Sequence, residues 1–223
     1  MIIRLFFGRR ISMTPVQTYY ETLAAAMIKK MEKRGFEAYY CPDSAAAVKT
    51  ALSLMKEGST VTWGGSMTIT EAGLVQALDP EKYQIIDRAK AVTPEAKKEC
   101  YRQAFSADYY LMSANAITKD GELVNVDGSG NRVAALAYGP DHVIILAGMN
   151  KVEPNLQAAI DRVHHTAAPA NAIRLGLQTP CSQTGSCANC LSPDCICAHT
   201  IITRYNRVPG RIKVLLIGET LGY

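Results

Sequence analysis

Five of the seven cysteines fall in one short stretch: Cys181, Cys187, Cys190, Cys195 and Cys197, spaced C-x5-C-x2-C-x4-C-x-C. Cysteine at this density builds a disulfide framework, a structural zinc site or an iron–sulfur centre. A disulfide framework needs an oxidising compartment. The first residues offer no uninterrupted apolar run of the roughly 7–15 residues an export signal needs, because Arg4 and Arg9-Arg10 break up Ile2, Ile3, Leu5, Phe6 and Phe7. Zinc suits Cys187-x2-Cys190, but zinc sites usually pair two such knuckles, and here the partners are irregular. Several thiolates from one loop around a central C-x2-C are compatible with an iron–sulfur cluster, which the spacing favours over zinc. Residues 179–198 are poor in large apolar side chains, so metal ligation would supply their folding free energy. His199 is a nearby nitrogen, though a lone histidine beside a strand is more often not a ligand. Cys41 and Cys100 stand apart and read as ordinary thiols.

Two glycine-rich loops could hold a ligand. Gly64-Gly65-Ser66 lies between a strand and a capped helix, where backbone N–H groups and the helix dipole favour an anion; a plain tight turn explains it equally well. Asn125, Asp127, Gly128, Ser129, Gly130, Asn131 and Arg132 gather a carboxylate, amides, a hydroxyl and a guanidinium within a few residues. Asn115 could join them. The bland alternative is an Asp-Gly hairpin turn, which does not need polar residues out to Arg132. No nucleophile–base pair is evident. His164-His165 sit at a helix end, with nothing to tie them to either loop.

The elements that must position these loops alternate. Thr14-Pro15-Val16-Gln17 carries a capping box and opens a helix whose apolar face is Tyr20, Leu23, Met27, Ile28 and Met31. A strand over 36–40, a helix over 44–57 and a strand over 60–63 follow. Thr68-x-x-Glu71 reads as a second capping box opening a helix through Leu78. A strand over 83–87, a helix from Thr93-Pro94, and strands over 107–117 and 122–126 come next. Two apolar segments, 133–138 and 142–147, precede a helix over 154–165. The nearly continuous apolar run at 211–219 suggests a strand buried on both faces. The pattern predicts an α/β protein with a largely parallel or mixed sheet flanked by helices.

The charge balance, 24 basic against 20 acidic residues, gives only +4. No basic stripe interleaves with aromatics, which argues against nucleic acid, and no segment approaches the ~20 apolar residues of a membrane span. With no export signal, a cytoplasmic location is expected. Residues 1–12 read as an N-terminal extension or an extra edge strand, Met13 being an alternative start. Residues 13–223 then form one domain, with the cysteine loop inserted before the final strand.

Three motifs together resemble the LUD-domain family, the lactate-utilisation proteins of the LutC/YkgG type. They are Gly64-Gly65-Ser66-x-Thr68-x-x-Glu71, the stretch from Asp120-Gly121 through Asn125, Asp127, Gly128 and Gly130 to Arg132, and Gly148-x-Asn150-Lys151. The C-terminal motif, from Pro180-Cys181 through Thr184-Gly185, Cys187, Asn189-Cys190 and Ser192-Pro193 to Ile196-Cys197, is similar to that of the small LUD proteins. The resemblance runs from about Met13 to the end. It implies a fold like the NagB/RpiA/CoA-transferase superfamily, a mixed sheet flanked by helices with a C-terminal cysteine-rich loop. It also implies a link to oxidation of lactate to pyruvate beside iron–sulfur partner subunits. By position the family cysteines are Cys181, Cys187, Cys190 and Cys197. Cys195, where the family more often has a basic residue, is a spare thiol or an alternative ligand.

The expected role is therefore an iron–sulfur redox component, with a 4Fe–4S cluster or, alternatively, zinc. A small anionic ligand would bind at Gly64, Gly65, Ser66, Thr68, Glu71, Asn115, Asn125, the 127–132 loop, Asn150 and Lys151. Expected partners are iron–sulfur subunits and a second copy of the chain. The competing role is a ligand-binding or assembly module with structural zinc. A transferase would need a nucleophilic carboxylate, for which Glu71 is a weak candidate because capping already explains it.

Overall fold

The computed structural model describes residues 13–223; the extension or edge strand expected over residues 1–12 lies outside them. Thr14 caps α1 (Pro15–Lys33) as its residues dictate. Its Oγ1 accepts from Gln17 N at 3.2 Å, while Gln17 Oε1 accepts from Thr14 N at 2.8 Å, satisfying two donors the helix leaves open. β1 (Glu37–Cys41), α2 (Ser44–Ser53), β2 (Thr60–Trp63), α3 (Met67–Glu71), β3 (Gln84–Ile86) and α4 (Pro94–Gln103) follow. β4 (Tyr109–Met112), β5 (Ala116–Thr118) and β6 (Leu123–Asp127) come next, then α5 (Asn131–Ala137), β7 (His142–Gly148) and β8 (Val152–Glu153). The chain finishes with α6 (Leu156–Arg162), α7 (Ala168–Arg174), α8 (Pro180–Thr184), β9 (His199–Thr203) and β10 (Ile212–Ile217).

Six strands form one sheet in the order β1-β10-β7-β4-β2-β3, every pair parallel. β10 lies between β1 and β7 and is buried along its whole length, which accounts for its nearly continuous apolar run, interrupted only by Lys213. Alternation of side chains across the strands feeds two cores. Val143, Ile145 and Val214 pack with Met27 and Met31 of α1 on one face. Ile144, Leu146 and Leu215 pack with Ala47, Ala51 and Ile69 on the other. The expected mixed α/β architecture flanked by helices is present. A second sheet, β8-β5-β6-β9, carries the antiparallel pairs and its own core of Ala116, Val124, Val126, Ala159 and Val163.

Three local expectations change. The run 107–117 is not one strand: β4 belongs to the large sheet and β5 to the small one, and the chain crosses between them at Ser113-Ala114-Asn115. The helix expected from Thr68 to Leu78 is only Met67–Glu71, and its cap is Ser66, whose Oγ accepts from Ile69 N at 3.4 Å. Residues 131–137 form a helix, so the glycine loop before it joins a strand to a helix and is not a hairpin turn.

Candidate functional site

Because the strands of the large sheet are parallel, their carboxyl ends lie along one edge, where open α/β sheets form ligand crevices. From that edge come residues 64–66 after β2, Ser113-Ala114-Asn115 after β4, Met149-Asn150-Lys151 after β7 and residues 218–223 after β10. They enclose a cavity of about 90 Å³ whose walls include Ser66, Thr68, Ser113, Lys151 and Tyr223. It opens into a second space of about 210 Å³ around Arg88, Arg132 and Arg174. Gly65, Arg132, Asn171, Arg174 and Ile196 line both, so the two form one cleft.

Lys151 is 3% exposed and belongs to no ion pair among the described residues. Its Nζ donates to Thr68 Oγ1 at 2.7 Å, Ser113 Oγ at 3.1 Å and Ala114 O at 3.4 Å. Burial, then the Arg162 and Arg132 guanidiniums, bring its pKa down to about 7, with Glu71 opposing. An amine in this setting is poised between its charged and neutral forms near neutral pH.

The 127–132 loop is organised around Arg132. Its guanidinium donates to Asn125 Oδ1 at 2.8 Å, Asn115 Oδ1 at 3.0 Å and Ser113 O at 3.3 Å, and it pairs with Asp127 at 3.4 Å. Asn125 is fully buried, and its Nδ2 finds no partner among the described residues. Asp127 Oδ1 in turn accepts from Ser129 N at 3.1 Å and Gly130 N at 3.0 Å. The absent Cβ of Gly128 admits another part of the chain: a Cβ there would lie 3.1 Å from Ile196 Cα and 3.5 Å from Cys195 O. The glycine loop and the cysteine loop are therefore packed backbone to backbone.

All five clustered cysteines line one cavity of about 440 Å³, together with His164, Gly128, Ala168 and Ile196. The loop is pinned at Thr179, which caps α8 reciprocally with Ser182, and by Asp194 Oδ2, which accepts from Gln178 N at 3.0 Å. Cys187 Sγ lies 3.5 Å from His164 Nδ1 and accepts from Asn189 N at 3.4 Å; Cys195 Sγ accepts from Cys197 N at 3.3 Å. Cys181 Sγ lies 3.2 Å from Thr179 Oγ1. Burial, and then the adjacent thiols of Cys195, Cys181 and Cys187, push the Cys197 thiol up to about 12. None of the seven cysteines is joined in a disulfide.

Among the described residues no three His, Cys, Asp or Glu side chains already converge as a metal-holding group. The donor chemistry nevertheless fits a cluster: five soft thiols share one cavity wall, two sulfurs accept backbone N–H bonds, and the proximity of the thiols disfavours free thiolates that metal would stabilise. Cys181, Cys187, Cys190 and Cys197 would hold the group, with Cys195 on the same wall as an alternative.

A family model describing the LUD domain matches residues 24–217. The chain belongs to the LUD-domain family. No curated protein matches the chain. Among solved structures it is similar to a DUF162 family protein from Deinococcus radiodurans, at 10% identity over 89% of this chain and 98% of that one, with a TM-score of 0.48. It is also similar to eIF2B beta from Chaetomium thermophilum, at 18% identity over 51% of this chain and 44% of that one, TM-score 0.38. The translation initiation factor eIF-2B of Pyrococcus horikoshii OT3 is 18% identical over 51% and 48%, TM-score 0.32.

Within this LUD domain several residues stand in roles the sequence did not signal. Thr68 does not cap a helix; its hydroxyl receives Lys151 and donates to Leu221 O at 3.2 Å. Glu71 does not complete a capping box; its carboxylate accepts from Gly222 N at 2.6 Å. Asn150 Oδ1 accepts from Leu221 N at 3.1 Å. Thr68, Glu71 and Asn150 thus fasten the C-terminal strap across the cleft. His164 contacts the cysteine loop, whereas His199 faces a different space beside Gly130. His164 sits in a wide turn, Val163–Ala167, between α6 and α7, a local irregularity often found at functional sites. Among the described residues no helix is long and apolar enough to cross a membrane.

Proposed function

We propose that this LUD protein is an iron–sulfur redox component, or accessory subunit, in the oxidation of lactate or a similar small 2-hydroxy acid. One observation carries the reading: the Lys151 cleft and the five-thiol cavity share the walls Ala168 and Ile196. A ligand in one lies next to whatever the other holds. The cleft suits a small acid. Its 90 Å³ floor has room for about three waters at roughly 30 Å³ each, and Arg132 and Arg174 give it a positive field. Lys151 Nζ, in its neutral form, can accept the hydroxyl proton released when such an acid is oxidised. That oxidation releases two electrons, and a bound cluster would supply one-electron relay of each in turn to an acceptor on a partner subunit.

The test is spectroscopic. Protein prepared without air and carrying iron is titrated with lactate, then with its oxo-acid product, while visible absorption and electron paramagnetic resonance are recorded. A saturable change in the cluster signal, abolished by Arg132→Met or Lys151→Met, is expected. A signal indifferent to every small acid would leave a binding module with a stapled loop.

A further inference from the structure

We propose that the ε-amine of Lys151 captures small 2-oxo acids covalently, as a Schiff base, in the cleft at the carboxyl ends of the parallel strands. The inference rests on the assignment of the cleft to a small acid and adds a reaction to it. Three observations lead there. First, the amine is buried without a carboxylate partner; its neighbours are two hydroxyls and one carbonyl. A lysine kept only for structure is usually paired when buried this deeply. Second, Lys151 lines the cleft together with Ser66, Thr68, Ser113 and Tyr223. Third, the charges around it on α3, α5 and α6 are Glu71, Arg132 and Arg162; Glu71 is engaged by Gly222 N, and the two guanidiniums disfavour a charged amine. A desolvated lysine beside other cations is the arrangement that activates amine nucleophiles.

The chemistry balances without a further reagent. The nitrogen lone pair of Lys151 attacks the carbonyl carbon, forming a C–N bond as the C=O π electrons move to oxygen. The hydroxyl of the resulting carbinolamine then leaves as water. The two protons lost from nitrogen leave with that oxygen, and an imine remains. The hydroxyls of Thr68 and Ser113, already bonded to Nζ, are placed to relay these protons. A 2-hydroxy acid has no carbonyl carbon at that position and is not captured.

The full chain is incubated at neutral pH with pyruvate or glyoxylate and sodium cyanoborohydride, which reduces an imine to a stable secondary amine. Intact mass and peptide mapping follow. The expected result is one adduct per chain, on the peptide containing Lys151. It should form about tenfold or more faster than on any other lysine, since an ordinary lysine is only about one part in a thousand neutral at pH 7. Lys151→Arg should lose that adduct and keep the slow surface background. No adduct on wild-type protein, or adducts spread evenly over surface lysines, would overturn the proposal, and this reading needs no variant to fold. The reducing hydride comes from cyanoborohydride and none of the steps draws on a metal centre, so trapping succeeds or fails independently of the iron content measured on the same sample.

Discussion

The Nδ1 atom of His164 stands 3.5 Å from the Sγ of Cys187, although 23 residues separate them in the chain. The contact joins the wide turn after α6 to the only part of the cysteine loop that carries a C-x2-C pair. Outer partners of this kind orient a metal ligand and tune its basicity. His164→Ala should therefore weaken retention of reconstituted iron by about 10–100-fold, read by competition with a chelator. The exposed neighbour should not matter, and His165→Ala should retain iron as the wild type does.

Arg132 satisfies Asn125, Asn115 and Asp127 at once, from a largely buried position. Removing it takes the guanidinium counter-charge from the nearly buried Asp127 carboxylate and the side-chain donor from Asn125 Oδ1, while Ser129 N, Gly130 N and Val126 N still reach Asp127 and Asn115. Arg132→Met should cost about 3–5 kcal/mol in chemical denaturation. Arg132→Lys should recover little of it, because an ammonium cannot reproduce the planar fork.

Lys151 makes stability depend on pH in a defined direction. Its folded pKa, about 7, lies below its ordinary value of 10.5. Between those values the unfolded chain binds a proton that the folded chain does not, so folded stability rises as pH rises through that window. At about 1.4 kcal/mol per pH unit the effect is about 4–5 kcal/mol at most. Wild-type protein should gain stability relative to Lys151→Met between about pH 7 and pH 10. Parallel stability curves for the two proteins would contradict this.

Gly222 holds the strap over Lys151 with φ +56°, and a Cβ there would lie 2.7 Å from Thr68 Oγ1 and 3.0 Å from Thr68 N. Gly222→Ala meets both an unfavourable backbone and a clash, a cost of about 1–3 kcal/mol. The strap should loosen while the sheet stays intact. Hydrogen exchange should rise at Leu221 and Gly222, whose amides bond Asn150 and Glu71, and remain slow in β7 and β10.

What could be read from the sequence was local or strongly patterned. The Thr14 capping box, the buried run of β10 and the cysteine loop each carry their signal within a few residues. The cysteine spacing raises the expectation of a metal centre, and the structure brings the five thiols onto one cavity wall. The crossing at Ser113-Ala114-Asn115 was hidden because the apolar pattern runs on from β4 into β5 while the chain changes sheets. Thr68 was mistaken for a cap because Ser66, two residues earlier, offers the same hydroxyl. His164 gave no sign of its partner because the contact depends on how α6 is packed. Lys151 was legible as part of a family motif, but its missing counter-charge is a property of burial that no spacing reveals.

The central claim is that the five-thiol cavity beside the Lys151 cleft holds an iron–sulfur cluster. Protein purified without air, analysed for iron, acid-labile sulfide and zinc alongside its visible spectrum, tests it most directly. The account predicts a brown protein containing iron and sulfide, both lost in Cys187→Ala and Cys190→Ala with the fold retained. A colourless protein with one tightly held zinc would contradict it.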